Sequence, residues 1–182
     1  MAKETIILGI DPGTNVMGYG VLKVVNTKLE LLSMGAIQIK ETDTGLKLKR
    51  IFERVLVLVD QYNPDHMALE APFFGKNVQS MLKLGRAQGV AMAAGLSRDV
   101  PISEYSPRKI KQSITGSGAA SKEQVAAMLQ NLMTINELPK YLDATDGLAV
   151  AVCHYYQSTS KIPSGGKKGW DAFIRQNPDR IK

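Results

Sequence analysis

Residues 5–13, Thr-Ile-Ile-Leu-Gly-Ile-Asp-Pro-Gly, decide the fold of this chain. The uninterrupted apolar run at 5–10 predicts a central strand that is buried on both faces. Asp11-Pro12-Gly13 breaks the run, so the strand ends on a carboxylate. Asp-Pro-Gly is a common turn sequence. A carboxylate at the end of a buried strand is also costly unless a partner such as a metal ion compensates its charge, so two interpretations of Asp11 stay open at this point.

Outward from this strand, hydrophobic periodicity and turn residues predict four more strands and five helices. The strands are expected at 17–25, 29–39, 66–70 and 101–106. The helices are expected at 44–62, 80–97, 107–114, from Ser121 onward, and at 143–156. Three meander strands followed by alternating helices and strands predict an α/β chain with a five-stranded mixed sheet flanked by helices, in the order of the ribonuclease-H-like fold.

Two of the helices carry further signals. Ser121 and Gln124 match a capping box, and the helix that follows is expected to bury four apolar residues, which are Val125, Met128, Leu129 and Leu132. The helix at 80–97 is instead rich in glycine and alanine. These small residues predict either tight packing on the sheet or close approach of a second copy of the chain.

The bulk composition is that of one globular domain. Of the 182 residues 44% are hydrophobic, and Cys153 is the one cysteine, which excludes an internal disulfide and a cysteine-rich zinc site. We expect no signal peptide and no membrane span, and a reducing, cytoplasmic setting.

Charge is distributed unevenly along the chain. The net charge is +6, and the segment 161–182 holds six of the 23 basic residues and two of the 17 acidic ones. We therefore predict a folded domain at 1–158 followed by a basic, flexible tail at 159–182. The rest of the chain is only weakly basic, so a polyanionic partner would need a local basic face.

Three further acids stand at places where chemistry gathers. Glu70 ends the apolar strand Met67-Ala68-Leu69, like Asp11 at its own strand end. Asp143 and Asp146 are three residues apart at the start of a helix, so they project from the same side. Simpler interpretations also stay open, because Glu70 would suit a solvated strand exit and Asp143 a plain N-cap.

Convergence of the four acids would create strong mutual repulsion. A divalent cation removes that repulsion, and a ligand set made only of oxygen suits Mg²⁺ or Mn²⁺. Two such ions can clamp a phosphate that is being cut. The spacing of the acids along the chain does not by itself establish that they converge.

Four blocks of sequence resemble the RuvC family of crossover junction endonucleases. The first block is 7–13 with Gly18-Tyr19-Gly20-Val21, and the second runs from Glu70 through Leu82-Lys83-Leu84-Gly85-Arg86-Ala87-Gln88-Gly89. The third spans Lys109 to Val125, and the fourth is Asp143-Ala144-Thr145-Asp146-Gly147-Leu148-Ala149. The match extends over roughly residues 5–156, in order and without large gaps.

This resemblance implies a homodimeric, magnesium-dependent endonuclease that resolves Holliday junctions by paired symmetrical nicks during DNA recombination and repair. It implies two Mg²⁺ ions per active site, which Mn²⁺ can replace, held by Asp11, Glu70, Asp143 and Asp146. It also implies a branch-migration helicase complex of the RuvA–RuvB type as a partner.

The resemblance further implies a set of DNA-binding residues. Phe73 matches an aromatic residue that contacts bases at the junction, and stacking of that kind tolerates any base. Lys111 and Lys122 match basic residues used near the phosphates, where they would stabilise developing charge. Four more cations close to these blocks complete the predicted basic face, namely Lys76, Lys83, Arg86 and Lys109.

Three different functions are also compatible with parts of the sequence. Asp11-Pro12-Gly13-Thr14 resembles the first phosphate loop of actin-like kinases, although those proteins need two such domains. The second is a related nuclease that acts on RNA, and the third is a non-catalytic junction-binding module. The non-catalytic module is disfavoured because four acids beside DNA would only weaken binding.

Overall fold

The computed structural model describes residues 4–72, 77–133, 135 and 142–159. Five strands form one mixed sheet, and their bounds are β1 Glu4–Asp11, β2 Val16–Val25, β3 Lys28–Gln38, β4 His66–Glu70 and β5 Ile102–Tyr105. The strand order is β3-β2-β1-β4-β5. The first three strands are antiparallel neighbours, whereas β4 and β5 run parallel to β1. The predicted five-stranded mixed sheet of the ribonuclease-H-like fold is therefore confirmed.

Five helices cover the sheet in two layers. Their bounds are α1 Thr44–Tyr62, α2 Val78–Leu96, α3 Pro107–Thr115, α4 Lys122–Met133 and α5 Asp143–Thr159. Helices α1 and α2 pack on one face through a core that includes Ile10, Ile51 and Met67. Helices α3, α4 and α5 enclose a second core on the other face, which includes Ile7 and Leu148. Because β1 contributes to both cores, its continuous apolar run is explained by burial on both sides.

Helix α5 lies unusually close to the sheet. A Cβ atom added at Gly9 would stand 2.2 Å from the Gly147 carbonyl oxygen, and one added at Gly20 would stand 2.4 Å from the Leu148 Cα. A Cβ added at Gly147 would stand 2.4 Å from the Tyr19 Cα. Glycine at these positions lets the helix backbone rest directly on β1 and β2, which fixes where the first turn of α5 is held.

Most predicted elements are confirmed to within two residues at each end. Helix α1 and strand β4 have the predicted bounds, whereas α2 begins at Val78 rather than Ser80 and α5 continues to Thr159. The capping box is also present, since the Ser121 amide donates to the Gln124 side chain at 2.8 Å and the Gln124 amide donates back to the Ser121 hydroxyl at 3.3 Å.

The predicted buried face of α4 is partly wrong. Val125 and Leu129 are buried as expected, but Met128 and Leu132 remain 41% and 39% exposed. Ala126 is buried instead. The face that α4 presents to the core is rotated toward Ala126, where a small side chain allows close packing, and the two larger residues lie at its margin.

Within the part of the chain that the structure describes, no helix is long and apolar enough to cross a membrane. Helix α5 ends one residue beyond the predicted domain boundary at 158, and residues 160–182 of the predicted tail lie outside the described residues. The division into a domain and a tail stays a prediction.

Candidate active site

The ends of β1 and β4 place two acids side by side. The strands are parallel neighbours with Ile10 opposite Leu69, so Asp11 and Glu70, which follow these residues, leave the sheet at the same edge. The carboxyl ends of parallel strands are where ligands bind in open sheets of this kind. The strand-end prediction for these two acids therefore agrees with the observed register.

The start of α5 is held against the same edge. Gly18 pairs with Asp11 across β1 and β2, and a Cβ atom at Gly18 would stand 1.9 Å from the carbonyl oxygen of Asp143. The Leu142 carbonyl accepts from the amides of Thr145 and Asp146 at 2.8 and 3.1 Å, which closes the first turn of the helix. Asp143 and Asp146 are thus presented beside the end of β1.

The electrostatic coupling of the acids agrees with this placement. Burial, followed by the nearby Asp146 charge, raises the pKa of Asp11 to about 7, and Asp143 adds to the rise. Burial raises the pKa of Glu70 to about 8, with further contributions from the charges of Asp11 and Asp146. Carboxyl groups with such pKa values resist ionisation at neutral pH unless a cation joins them.

Two lysines supply positive charge at this edge. The Lys122 ammonium donates to Asp146 Oδ2 at 2.5 Å, and this contact is the main cause of the raised pKa of Lys122. Lys122 also lowers the pKa of Asp11 against the larger effect of burial. Lys111 acts in the same direction on Glu70. The predicted positions of Lys111 and Lys122 beside the acids agree with these interactions.

The side chains do not form a closed ligand cage. Among the described residues, no three acidic, imidazole or thiol groups lie close enough together to share one metal ion. Asp146 is ion-paired with Lys122 instead. The donor set nevertheless fits a hard divalent cation, because all four groups are carboxylates and two of them have pKa values raised by burial and like charge. Metal ligation by these residues stays a prediction.

The remaining predicted DNA-binding residues divide into three groups. Lys83 and Arg86 lie on α2 and line a cleft near the loop that follows β1. Lys109 lies on α3 near Cys153, where burial raises the pKa of the thiol and the Lys109 charge offsets a small part of that rise. Phe73 and Lys76 lie outside the described residues. The structure therefore brings Lys111 and Lys122 to the acids, and it places Lys83 and Arg86 on a separate cleft.

Gln88 lies at the site, but the sequence alone indicated no specific role for it. It is only 6% exposed, and its amide nitrogen donates to Glu104 and to the main-chain carbonyl of Glu70, the latter at 3.5 Å. Glu104 lies exposed on β5, and its carboxylate accepts from this buried amide. One signal in the sequence could have identified Gln88. It is a polar residue in line with Leu84, Ala91 and Gly95 on the buried side of a helix, where a polar group needs a hydrogen-bond partner.

Two further side chains with titratable groups are buried on α5. Cys153 is a buried free thiol. His154 is buried and its Nδ1 lies 2.9 Å from the Tyr105 hydroxyl, while the ring of His66 lies 5.0 Å away, centroid to centroid. Burial lowers the pKa of His154, and the nearby His66 adds to this effect. His66 is half-buried at the start of β4, so this pair lies at the opposite end of the strand from Glu70.

Comparison with known proteins gives a consistent result at three levels. A family model described as crossover junction endodeoxyribonuclease RuvC matches residues 7–154. A protein of that name from Christiangramia forsetii is 62% identical, with all of this chain and 95% of the relative covered. One from Cytophaga hutchinsonii is 61% identical over 98% of this chain and 89% of the relative.

A solved structure extends the likeness to three dimensions. RuvC of T. thermophilus, determined in complex with a Holliday junction substrate, is 31% identical and superposes with a TM-score of 0.79. The alignment covers 85% of this chain and 94% of that one.

Proposed function

This chain belongs to the RuvC family of crossover junction endodeoxyribonucleases, and we propose that its four strand-end and helix-start carboxylates form the metal centre of the enzyme. It is a Holliday junction resolvase, an endonuclease of DNA recombination and repair that uses a divalent metal. The observation that carries the assignment of the site is the convergence of β1, β4 and the start of α5 on one edge of the sheet.

We infer that the metal is Mg²⁺, that two ions are held per site, and that Mn²⁺ can replace them. The proposed ligands are Asp11, Glu70, Asp143 and Asp146, which offer only the hard oxygen donors that these ions prefer. When bound, such ions supply the activated water and the charge neutralisation needed for displacement at a phosphodiester. The raised pKa values of Asp11 and Glu70 mean that ligation is coupled to loss of protons from these carboxyls.

The lysines at the site have a separate proposed task. Lys122 lies against Asp146 with its side chain 54% exposed, so its ammonium is accessible from solvent. Lys111 is near enough to Glu70 to influence its ionisation. We propose that both lysines bind the phosphate that is cut and stabilise the negative charge that grows on it. Phe73, which precedes α2, is proposed to stack on an unpaired base at the junction.

The surface of α2 supports the proposal that the enzyme is a homodimer. Val78 and Leu82 are 63% and 52% exposed, and Gly85 and Gly89 follow on the same helical stripe with no atom within 4 Å of an added Cβ. Leu96 extends the stripe and is 55% exposed. An apolar stripe with small residues at its centre permits close approach of the same stripe on a second copy around a two-fold axis.

A two-fold dimer suits the reaction because a four-way junction offers two symmetry-related strands. We therefore propose that the two active sites make paired, symmetrical nicks. By family membership we also propose that a branch-migration complex of the RuvA–RuvB type is a partner, and that the protein works in the cytoplasm.

The proposed function is tested by offering the full chain three substrates with Mg²⁺. These are a synthetic four-way junction, a linear duplex of the same sequence, and an RNA–DNA hybrid. We expect paired nicks in the junction alone, and no cleavage when a chelator replaces Mg²⁺. Preferential cutting of the hybrid would favour a nuclease acting on RNA, and junction binding without cleavage in Mg²⁺ or Mn²⁺ would favour a non-catalytic module.

A further inference from the structure

We propose that a cleft between the loop at Thr14-Asn15 and helices α1 and α2 binds a backbone phosphate of the DNA strand, with Lys47 as its central cation. The cleft has a volume of about 190 Å³, and its polar lining includes Thr14, Asn15, Thr44, Lys47, Lys83 and Arg86. This inference rests on the proposed function, because it requires that the protein engages junction DNA. It adds a residue, Lys47 on α1, that neither the sequence motifs nor the strand-end acids point to.

The charged residues that line the cleft are all cations. Lys47 comes from α1, whereas Lys83 and Arg86 come from α2, so two helices direct three cations to one opening. Of the described residues that line the cleft, none is acidic, and among the described ion pairs none involves these three side chains. The nearest acid in sequence is Asp43, whose side chain caps α1 by accepting from the Leu46 amide at 2.9 Å.

Lys47 is positioned by neutral partners. Its ammonium donates to the carbonyl oxygen of Thr14 at 3.1 Å and to Asn15 Oδ1 at 2.8 Å. An ammonium has three donors, so these two contacts orient the side chain and leave a donor for an anionic oxygen. Neither partner neutralises the charge. A lysine that is held in place and uncompensated is the arrangement expected of a phosphate ligand.

The location of the cleft argues for the DNA strand as its occupant. Thr14 and Asn15 follow Asp11 by three and four residues, and the Asn15 carbonyl accepts from the Ile39 amide at 2.8 Å, which fixes the loop beside the end of β1. Each DNA strand carries a phosphate about every 3.4 Å along the helix axis. A strand that is cut at the carboxylates therefore has further phosphates within reach of this loop.

The test uses a variant that removes only the charge. Lys47→Gln keeps an amide donor for the Thr14 carbonyl, and Lys47→Arg restores the charge. The matched control is Lys49→Gln, which makes the same charge change on the same helix at a residue that is outside the cleft and pairs with Glu53 at 3.7 Å. Affinity for a fluorescent four-way junction is measured without divalent metal over a series of KCl concentrations.

We expect Lys47→Gln to lower the slope of log affinity against log salt by about 0.9 for each cleft engaged, the value for one lost phosphate contact. Junction affinity at moderate salt should fall roughly three- to tenfold. Lys47→Arg should restore both quantities, and Lys49→Gln should match the wild type. Replacing one backbone phosphate near the cut with a neutral methylphosphonate should lower the junction affinity of the wild type but not that of Lys47→Gln.

Three results would overturn this inference while leaving the proposed function intact. One is an unchanged salt slope for Lys47→Gln with normal junction cleavage, and a second is an equal loss in Lys49→Gln, which would show an effect of total charge. A third is that the cleft binds a free anion instead of DNA. In that case millimolar inorganic phosphate would stabilise the wild type but not Lys47→Gln, and the two proteins would show the same dependence of junction affinity on salt. Failure of the wild type to bind the junction would instead refute the proposed function together with this inference.

Discussion

The two faces of the sheet carry helices in different ways. On the α5 face, backbone lies on backbone, and a side-chain carbon at Gly9, Gly20 or Gly147 would overlap its neighbours at 2.2–2.4 Å. On the α1–α2 face, large aliphatic side chains such as Ile51, Val55 and Met67 fill the space between helix and sheet. The acids gather on the first face, and the cleft around Lys47 opens on the second.

This difference matches how precisely each kind of interaction, metal ligation or lysine–phosphate attraction, requires its groups to be placed. Metal ligation requires carboxylates held to within about half an ångström, and the proposed ligands Asp143 and Asp146 lie on a helix whose backbone rests directly on the sheet. Attraction between a lysine and a phosphate acts over a longer range and suits flexible side chains. The comparison predicts that changes on the α5 face affect cleavage or folding, whereas changes in the cleft affect binding.

The largest effect is expected from neutralising an acid. Asp146→Asn should reduce the single-turnover cleavage rate at least about 1,000-fold, since charge stabilisation by a metal is worth several kcal/mol. Junction affinity should stay close to the wild-type value. Asp11→Asn and Glu70→Gln should behave alike.

A substitution in the cleft is expected to affect binding rather than cleavage. Lys83→Ala should weaken junction binding and leave the rate at saturating protein nearly unchanged. Comparable cleavage by Asp146→Asn and the wild type would contradict the division of tasks between the two faces.

The next largest effect concerns the fit of α5. Gly147→Ala places a carbon 2.4 Å from the Tyr19 Cα and should destabilise the protein by about 1–3 kcal/mol or more. Gln61→Ala is the control, at an exposed position of α1 outside the proposed dimer stripe, and it should change the stability by less than about 0.5 kcal/mol. Denaturant unfolding measures both. Equal stabilities would show that α5 can shift to accept the added carbon.

A smaller effect is expected from Gln88, which links α2 to the strand end that carries Glu70. Gln88→Leu should lower the single-turnover rate about tenfold, roughly 1.4 kcal/mol in the barrier, and raise the Mg²⁺ concentration needed for half-maximal cleavage. Junction affinity should not change, because the side chain is buried. Glu104→Gln keeps an acceptor for the Gln88 amide and serves as the conservative control. An unchanged rate and metal dependence in Gln88→Leu would assign this residue to packing alone.

Local signals made much of the fold predictable from sequence. Helix α1 and strand β4 have the bounds that the sequence predicts, because periodicity and flanking turn residues act over short distances. The edge shared by Asp11 and Glu70 followed from strand-end reasoning. Asp143 depended most on family resemblance, because an acid in a first helical turn is common for reasons unrelated to metal.

Other features depend on contacts between distant parts of the chain. The Lys122–Asp146 ion pair joins residues 24 apart, and the Lys47–Thr14 contact joins residues 33 apart. No local pattern encodes such pairs. The exposure of Met128 was missed for the same reason, because the buried side of α4 depends on how closely Ala126 approaches its neighbours.

The most direct test of the metal centre is calorimetric titration of the full chain with Mn²⁺ in buffers of different ionisation heat. The pKa values of Asp11 and Glu70 are raised to about 7 and about 8, so both carboxyls hold protons below this range and release them as the pH rises through it. We therefore predict that binding releases protons near neutral pH, tightens as the pH rises, and is strongly weakened in Asp146→Asn. Binding without proton release, or equal binding by Asp146→Asn, would contradict a shared site for the four acids.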